Sequence, residues 1–181
     1  MDNKKADDAA KDLFDLLSKS PYATQVSTVG TMVFIPAVLA GAYRFRTFKV
    51  YSPDLKPGAV MLSEEANTES LKLFDTLGYV LSRRFGIKVN PLKMVVHGRV
   101  DNYIKTDALN VLNLYLKEMD DIARKNGLDI EETILACLFV CATIISNIRR
   151  VFDLYTSLKI AAFGFVAGCN TVPNKAEPIR N

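Results

Sequence analysis

Apolar side chains recur with the period of an α-helix in three segments of the chain. Residues 5–18 place their apolar positions on one face of a 3.6-residue helix, and residues 106–126 do the same, with Thr106 as candidate N-cap. Residues 63–84 form the third segment, which Gly86 is placed to terminate. Its predicted core face consists of Leu71, Phe74, Leu77, Leu81 and Phe85. These patterns predict three amphipathic helices.

A longer apolar run follows residues 106–126. Asp129, with Glu132 three residues later, matches the capping box that starts many helices. Residues 134–148 are apolar almost all round, which is typical of a helix in the centre of a core or in a membrane. We predict a central helix over residues 130–155. The short connection before it, residues 127–129, predicts an antiparallel hairpin with the preceding helix.

The segment between the first two amphipathic helices is ambiguous. Residues 29–43 fit either a buried helix interrupted at Pro36 or two strands. The next residues are rich in Phe, Thr, Val and Tyr, which favours a strand, and turn-forming residues follow. We therefore predict a β-hairpin of residues 43–51 with 58–62. A further short strand is predicted at residues 94–96.

Together these elements predict a mainly α fold. We expect a helical core of four to five helices around the apolar central helix 130–155, with a minor β-hairpin; an α+β fold is the alternative. The chain has 181 residues, 49% apolar and 24% charged, which excludes disordered and collagen-like classes. This length suits a single domain over residues 1–181, with flexible ends at 1–4 and 173–181.

The charges alternate along the chain, although the formal net charge is only +3. Basic residues dominate segment 81–105, and acidic residues dominate segment 106–132. The candidate phosphate-contacting residues of the basic segment are Arg83, Arg84, Lys88, Lys93, Arg99 and Lys105. A nucleic-acid-binding protein is therefore an alternative, but the small net charge does not favour it.

Three uncharged stretches raise the question of a membrane. They cover residues 20–43, 133–148 and 160–174. The last two are shorter than the roughly 20 residues that a spanning helix needs, and the first is interrupted by Pro and many hydroxyl side chains. The N-terminus mixes acidic and basic residues, unlike a secretory signal. We expect a soluble cytoplasmic protein, with membrane association as the alternative.

Residues that commonly carry catalysis or bind metals are few. His97 is the single histidine, and neither a nucleophile elbow nor a phosphate-binding glycine pattern occurs. Cys137 and Cys141 would share one face of a helix, but zinc would need two further ligands. We interpret these cysteines as small core residues. No catalytic residue, metal ligand or cofactor is predicted, and an enzyme of unrecognised type is kept only as an alternative.

The first functional hypothesis is a non-enzymatic interaction protein or structural subunit of a larger assembly. Residues 28–43 and 160–172 carry more apolar side chains than amphipathic helices need, and they show no clean period. Such segments are candidates for burial against a protein partner, a second copy of the chain or lipid, and the alternative is that they close the domain's own core. Arg44, Arg46 and Lys49 would then stand at the rim of the interface.

Overall fold

The computed structural model describes residues 3–19, 29–48, 64–89, 102–150 and 153–171, and nearly all of them are helical. The six helices in these residues are α1 (Lys4–Lys19), α2 (Val29–Phe48), α3 (Glu64–Phe85), α4 (Asn102–Asn126), α5 (Ile130–Ile148) and α6 (Leu154–Asn170). The predicted mainly α fold is confirmed. Lys4 already belongs to α1, whereas the predicted flexible tail 173–181 lies outside the described residues. The single-domain organisation stays a prediction.

Several helix ends follow the local signals in the sequence. The Asp129 carboxylate accepts a hydrogen bond from the Glu132 amide at 2.8 Å, and Glu132 accepts one from the Asp129 amide at 3.2 Å. This completes the predicted capping box of α5. Gly86, which follows α3, has a φ of 64°, in the left-handed region where glycine costs least. Thr106 is not an N-cap, because α4 already begins at Asn102.

The predicted central helix 130–155 is two helices. α5 ends at Ile148, and α6 begins after Asp153, whose carboxylate accepts a hydrogen bond from the Thr156 amide at 3.1 Å. The apolar run in the sequence concealed this second N-cap. The prediction of one continuous helix was therefore wrong at its C-terminal end.

The predicted β-hairpin is also wrong where the structure describes it. Residues 43–48 form the last turns of α2, and Pro36 lies inside the same helix. Tyr43 and Phe45 are buried in this helix, so tertiary packing overrides their preference for strands. The rest of the hairpin, residues 49–62, and the predicted strand 94–96 lie outside the described residues. No strand occurs within the described ranges, so the α+β alternative finds no support there.

The core is organised around α2 and α5, which pack against each other. α6 lies along α2 in the most extensive helix contact of the structure, and α3 packs on α5 and α6. α1 covers α5 and also contacts α4. α4 and α5 make few contacts with each other, because α4 directs its apolar side towards α1, α2 and α6. The predicted hairpin packing of these two helices is therefore not found.

Glycines allow α2 and α6 to touch backbone to backbone. A Cβ atom at Gly168 would overlap the carbonyl oxygen of Val38, and one at Gly41 would overlap that of Phe165. At Gly164 it would lie 2.6 Å from the Cβ of Ala37, far inside normal contact distance. The two apolar segments without a clean period are residues 28–43 and 160–172. Their described parts are thus largely buried in the protein's own core.

Helix α5 is the one helix in the described ranges that is long and apolar enough to cross a membrane. Its most apolar window has a mean hydropathy of 1.6, and 61% of that window is buried inside the protein. A core helix of a globular protein has these same properties.

Candidate functional site

A groove of about 620 Å³ opens between α3 and α5, bordered by the start of α1 and by Arg44 of α2. Its volume is within the range of ordinary ligand pockets, roughly 300–1,000 Å³. Apart from Ala6 of α1, the aliphatic and phenylalanine side chains that line it come from α3 and the first three turns of α5. They are Val80, Ile134, Leu135, Leu138 and Phe139. The groove therefore has an apolar floor provided mainly by two helices.

The edges of the groove carry opposite charges. Arg83 and Arg84 come from the last turn of α3, whereas Asp129, Glu131 and Glu132 come from the start of α5. Cations at a helix C-terminus and acids at a helix N-terminus each complement the helix dipole. The fold brings these two helix ends to the same groove, so charges that suit the separate helices also make a basic and an acidic edge.

The two arginines of the basic edge differ in how firmly they are held. Arg84 forms a bidentate ion pair with Asp7, with N–O distances of 2.5 and 3.2 Å, and lies 3.7 Å above the centroid of the Phe139 ring. Arg83 is exposed and stacks over the Tyr79 ring at 5.7 Å. Tyr79 is itself 62% exposed. Arg84 is thus part of the packing between helices, whereas Arg83 and Tyr79 are accessible to another molecule.

The remaining residues of the predicted basic segment are only partly described. Lys88 is exposed just after α3. The side chains of Lys93, Arg99 and Lys105 lie outside the described residues. Because Asp7 neutralises Arg84, the described part of the segment is less basic than its sequence. Nucleic-acid binding stays an untested alternative.

The predicted rim arginines form ion pairs within the chain. Arg44 makes a bidentate pair with Glu131, at 3.0 and 3.4 Å, and its Nε lies 3.7 Å from a carboxylate oxygen of Glu69. Arg46 makes a bidentate pair with Asp120, at 2.8 and 3.3 Å. These contacts join α2 to α3, α4 and α5. Lys49 lies outside the described residues.

Tyr43 completes the network at Asp120. Its hydroxyl donates to the Asp120 carboxylate at 2.6 Å, and the Arg46 guanidinium lies 5.0 Å from its ring centroid. Burial, together with the negative charge and hydrogen bond of Asp120, raises the pKa of Tyr43 well above 10. The phenol is therefore held protonated in the folded protein.

The three cysteines are buried and free, as a core role requires. The Cys141 thiol donates to the Val33 carbonyl at 3.8 Å, and the Cys169 thiol donates to the Gly41 carbonyl at 3.4 Å. Burial raises the pKa of all three thiols, that of Cys169 to about 12, so none is a ready nucleophile. In the described ranges, no three His, Cys, Asp or Glu side chains are placed to hold a metal ion, and His97 lies outside those ranges.

Sequence reasoning missed the outer face of α3. Leu71, predicted on the core face, is 54% exposed, and the adjacent Ser70 is buried instead. Leu71 and Tyr79 are eight residues apart and fall on the same side of the helix as Asp75 and Arg83. This i, i+4 spacing was visible in the sequence. Only the burial of Leu73, Leu77 and Leu81 on the opposite face shows that this side of α3 is exposed.

No family model matches the chain, and no curated protein or solved structure matches it. The function of the groove therefore has to be inferred from its geometry and chemistry. Its features are an apolar floor, edges of opposite charge and an exposed Tyr–Arg pair. This combination suits the binding of an amphipathic surface.

Proposed function

We propose that the protein is a non-enzymatic interaction protein that docks a protein partner on the outer side of α3. The docking face consists of Leu71, Asp75, Tyr79 and Arg83 together with the adjoining groove. The observation that carries the proposal is the apolar groove directly beside the exposed, stacked Tyr79 and Arg83. Tyrosine and arginine are among the residues that most often dominate binding energy at protein interfaces.

The distribution of exposed apolar side chains supports the same face. Within the described residues, four large hydrophobic side chains are exposed: Leu71, Tyr79, Leu114 and Tyr155. Two of these four lie on one side of α3, next to a groove with an apolar floor. Clustered apolar surface rimmed by polar groups is typical of interaction sites, whereas single exposed side chains are normal anywhere.

The charged edges of the groove supply orientation. Arg83 lies at one edge. At the other edge lies Glu131, which pairs with Arg44 but keeps an exposed side chain, so a partner with charges of opposite sign on its two sides fits in one direction. Such complementarity acts more on association rate and specificity than on affinity. Binding at this face should therefore weaken as salt concentration rises.

Site-specific photocross-linking in the protein's own host tests this proposal. Benzoylphenylalanine is introduced in place of Tyr79 and, as the matched control, in place of Tyr155, which is 60% exposed on α6. We expect a discrete protein adduct from position 79 that is absent from position 155. The adduct should decrease when Arg83→Glu is added. The same adducts at both positions, or none at position 79, would contradict the proposed docking face.

The proposed location is the cytoplasm, without insertion into a membrane. Its support is the burial of α5 by other helices of the chain, including the side chains of Leu138 and Ile145. We expect the protein to be released by alkaline carbonate extraction. Carbonate-resistant pelleting with membranes would contradict this location.

A further inference from the structure

We infer that the α3 docking face pairs with the same face of a second copy of the chain, in an antiparallel arrangement centred on Tyr79. In this pair, Asp75 of each copy faces Arg83 of the other. The inference rests on the proposed function, because it names the partner of the same face. It follows from the spacing of Asp75, Tyr79 and Arg83 on α3 and from the opposite charges of Asp75 and Arg83.

The spacing makes the face symmetric about one residue. Asp75 lies four residues before Tyr79, and Arg83 lies four residues after it. Each step of four residues advances about 6 Å along a helix, and side chains at this spacing form one continuous ridge. When two such ridges run antiparallel with a two-fold axis beside Tyr79, each position before this residue meets the equivalent position after it.

The charges on α3 make this symmetric face complementary to itself. Asp75 and Arg83 carry opposite charges, so the antiparallel pair forms two identical Asp–Arg contacts on either side of the axis. A parallel pair would instead place like charges together. Interfaces with two-fold symmetry use one surface twice and therefore require this kind of self-complementarity.

The two charged residues are available for such a contact. Both are exposed on α3. Arg44, Arg46 and Arg84 have ion-pair partners inside the chain, whereas Arg83 contacts the ring of Tyr79. No ion pair involves Asp75 or Arg83 within the described part of the chain. Their charges can therefore be satisfied across an interface.

The apolar members of the face fit the same geometry. Two i, i+4 ridges pack at a crossing angle of about −50°, which brings the two Tyr79 rings together near the axis. Leu71 then extends towards the end of the opposing helix, where Gly86 of the second copy leaves open space beside its backbone. An aromatic contact at the centre with charge pairs outside it is the usual arrangement of binding energy and specificity.

The size of the face predicts a weak dimer. A standard stable interface covers about 800 Å² on each partner, and one exposed helix face provides less. Sedimentation velocity of the full chain over a wide concentration range should therefore show a monomer–dimer equilibrium. The dimer fraction should rise with protein concentration and fall with added salt.

Charge reversals provide the decisive test. Asp75→Arg and Arg83→Asp each place like charges opposite one another, and each should raise the dimer Kd by about tenfold. The double variant Asp75→Arg/Arg83→Asp exchanges the signs and should restore self-association. Mixing the two single variants should also produce a heterodimer, since one carries two cations on this ridge and the other two anions.

Matched controls separate the interface from general effects of charge. Asp15→Arg on α1 and Lys159→Glu on α6 change exposed charges elsewhere and should leave the equilibrium unchanged. Tyr79→Ala should weaken the dimer, whereas Tyr155→Ala should not. Circular dichroism of each variant verifies that it is folded.

Three results would overturn the inference: a monomer at every concentration, a dimer insensitive to both single reversals, or a double variant that fails to recover. The photocross-link distinguishes this failure from failure of the docking proposal. A monomer whose position 79 cross-links to a different protein refutes self-pairing and leaves the docking face in place. Equal cross-linking from positions 79 and 155 refutes the docking face itself.

Discussion

Helices α6 and α3 pack against the rest of the protein in different ways. α6 presents Gly164 and Gly168 to the backbone of α2, in a contact that leaves no room for a side chain. α3 buries Leu73, Leu77 and Leu81 on one side but holds Tyr79 largely exposed on the other. The helix with the more apolar sequence is thus mostly buried inside the chain, with Tyr155 exposed in its first turn, and the amphipathic helix offers more accessible surface.

This contrast shows that apolar content alone does not identify a partner surface. The unperiodic apolar segments could have been covered by another molecule or buried in the protein's own core, and in the structure they pack mainly against each other. Their period is weak because α2 and α6 are surrounded on most sides. The available surface is found where a few apolar residues interrupt the polar side of an amphipathic helix, as at Leu71 and Tyr79.

The largest expected effect comes from filling the α2–α6 contact. Gly168→Leu should lower the free energy of unfolding by more than about 4 kcal/mol, in the extreme range for single substitutions. The reason is that its Cβ would overlap backbone atoms of Val38, which cannot rotate away as a side chain can. Urea unfolding followed by circular dichroism measures the loss.

Gly78, in the middle of α3, is the matched control for this substitution. A Cβ atom there would meet only the Val89 side chain, at an ordinary distance of 3.7 Å. Gly78→Ala should therefore stabilise the protein by roughly 0.5–1 kcal/mol through helix propensity. If Gly168→Leu is tolerated as well as Gly78→Ala, the backbone contact between α2 and α6 is wrong.

The next effect concerns the burial of α5. Leu138→Ala or Ile145→Ala should each cost about 2–5 kcal/mol, because each removes a fully buried side chain and leaves a cavity. Leu114→Ala, at a position that is 51% exposed on α4, should change stability by less than about 0.5 kcal/mol. Equal unfolding midpoints for the core variants and this control would show that α5 does not lie at the centre of the core.

A smaller effect, dependent on pH, should come from Tyr43. Its hydrogen bond to Asp120 should make the native chain about 1 kcal/mol more stable than Tyr43→Phe at neutral pH. Because folding raises the pKa of this phenol, its contribution is complete below the unfolded value near 10 and is lost as pH rises towards the folded value. The stability difference between the two chains should shrink above pH ~10 by about 1.4 kcal/mol per unit and then reverse. A difference that stays constant with pH would contradict the buried network.

The smallest effect is expected on the exposed side of α3. Tyr79→Ala and Tyr155→Ala should each change the free energy of unfolding by no more than about 0.5 kcal/mol, because neither side chain is part of the core. Thermal unfolding at low protein concentration measures this without a contribution from association. A large loss in Tyr79→Ala would show that this residue supports the fold, in contrast to its proposed role in docking.

Local signals explain which parts of the fold were predictable. The capping box at Asp129 and Glu132, the terminating Gly86, the buried face of α1 and, except for Leu71, that of α3 depend on residues close together in sequence. For α2 a buried helix was only one of two interpretations, and most of α6 was not assigned as a helix, because helices buried on most sides lose their amphipathic period. Gly164 and Gly168 have the spacing of a close helix contact, but nothing local identifies α2 as the partner.

The candidate site was less predictable than the fold. Its charged edges follow from ordinary preferences at the end of α3 and the start of α5, yet only the tertiary structure brings Arg83 and Glu131 to one groove. Arg44 and Arg46 were expected at an interface because they follow an apolar segment. In the structure they neutralise acids of neighbouring helices, and the sequence positions of those acids, such as Glu131, lie far along the chain.

The contact between α2 and α6 also has a consequence for how the chain is made. The hydrogen bond from Cys169 to Gly41 joins residues separated by 128 positions, so a ribosome adding ~5–20 residues per second needs roughly 6–25 s between them. During that interval α2 has been synthesised while the helix that covers it most extensively has not. The nascent chain therefore presents an apolar segment without its main partner, and this is the stage at which chaperones would contribute most to its yield.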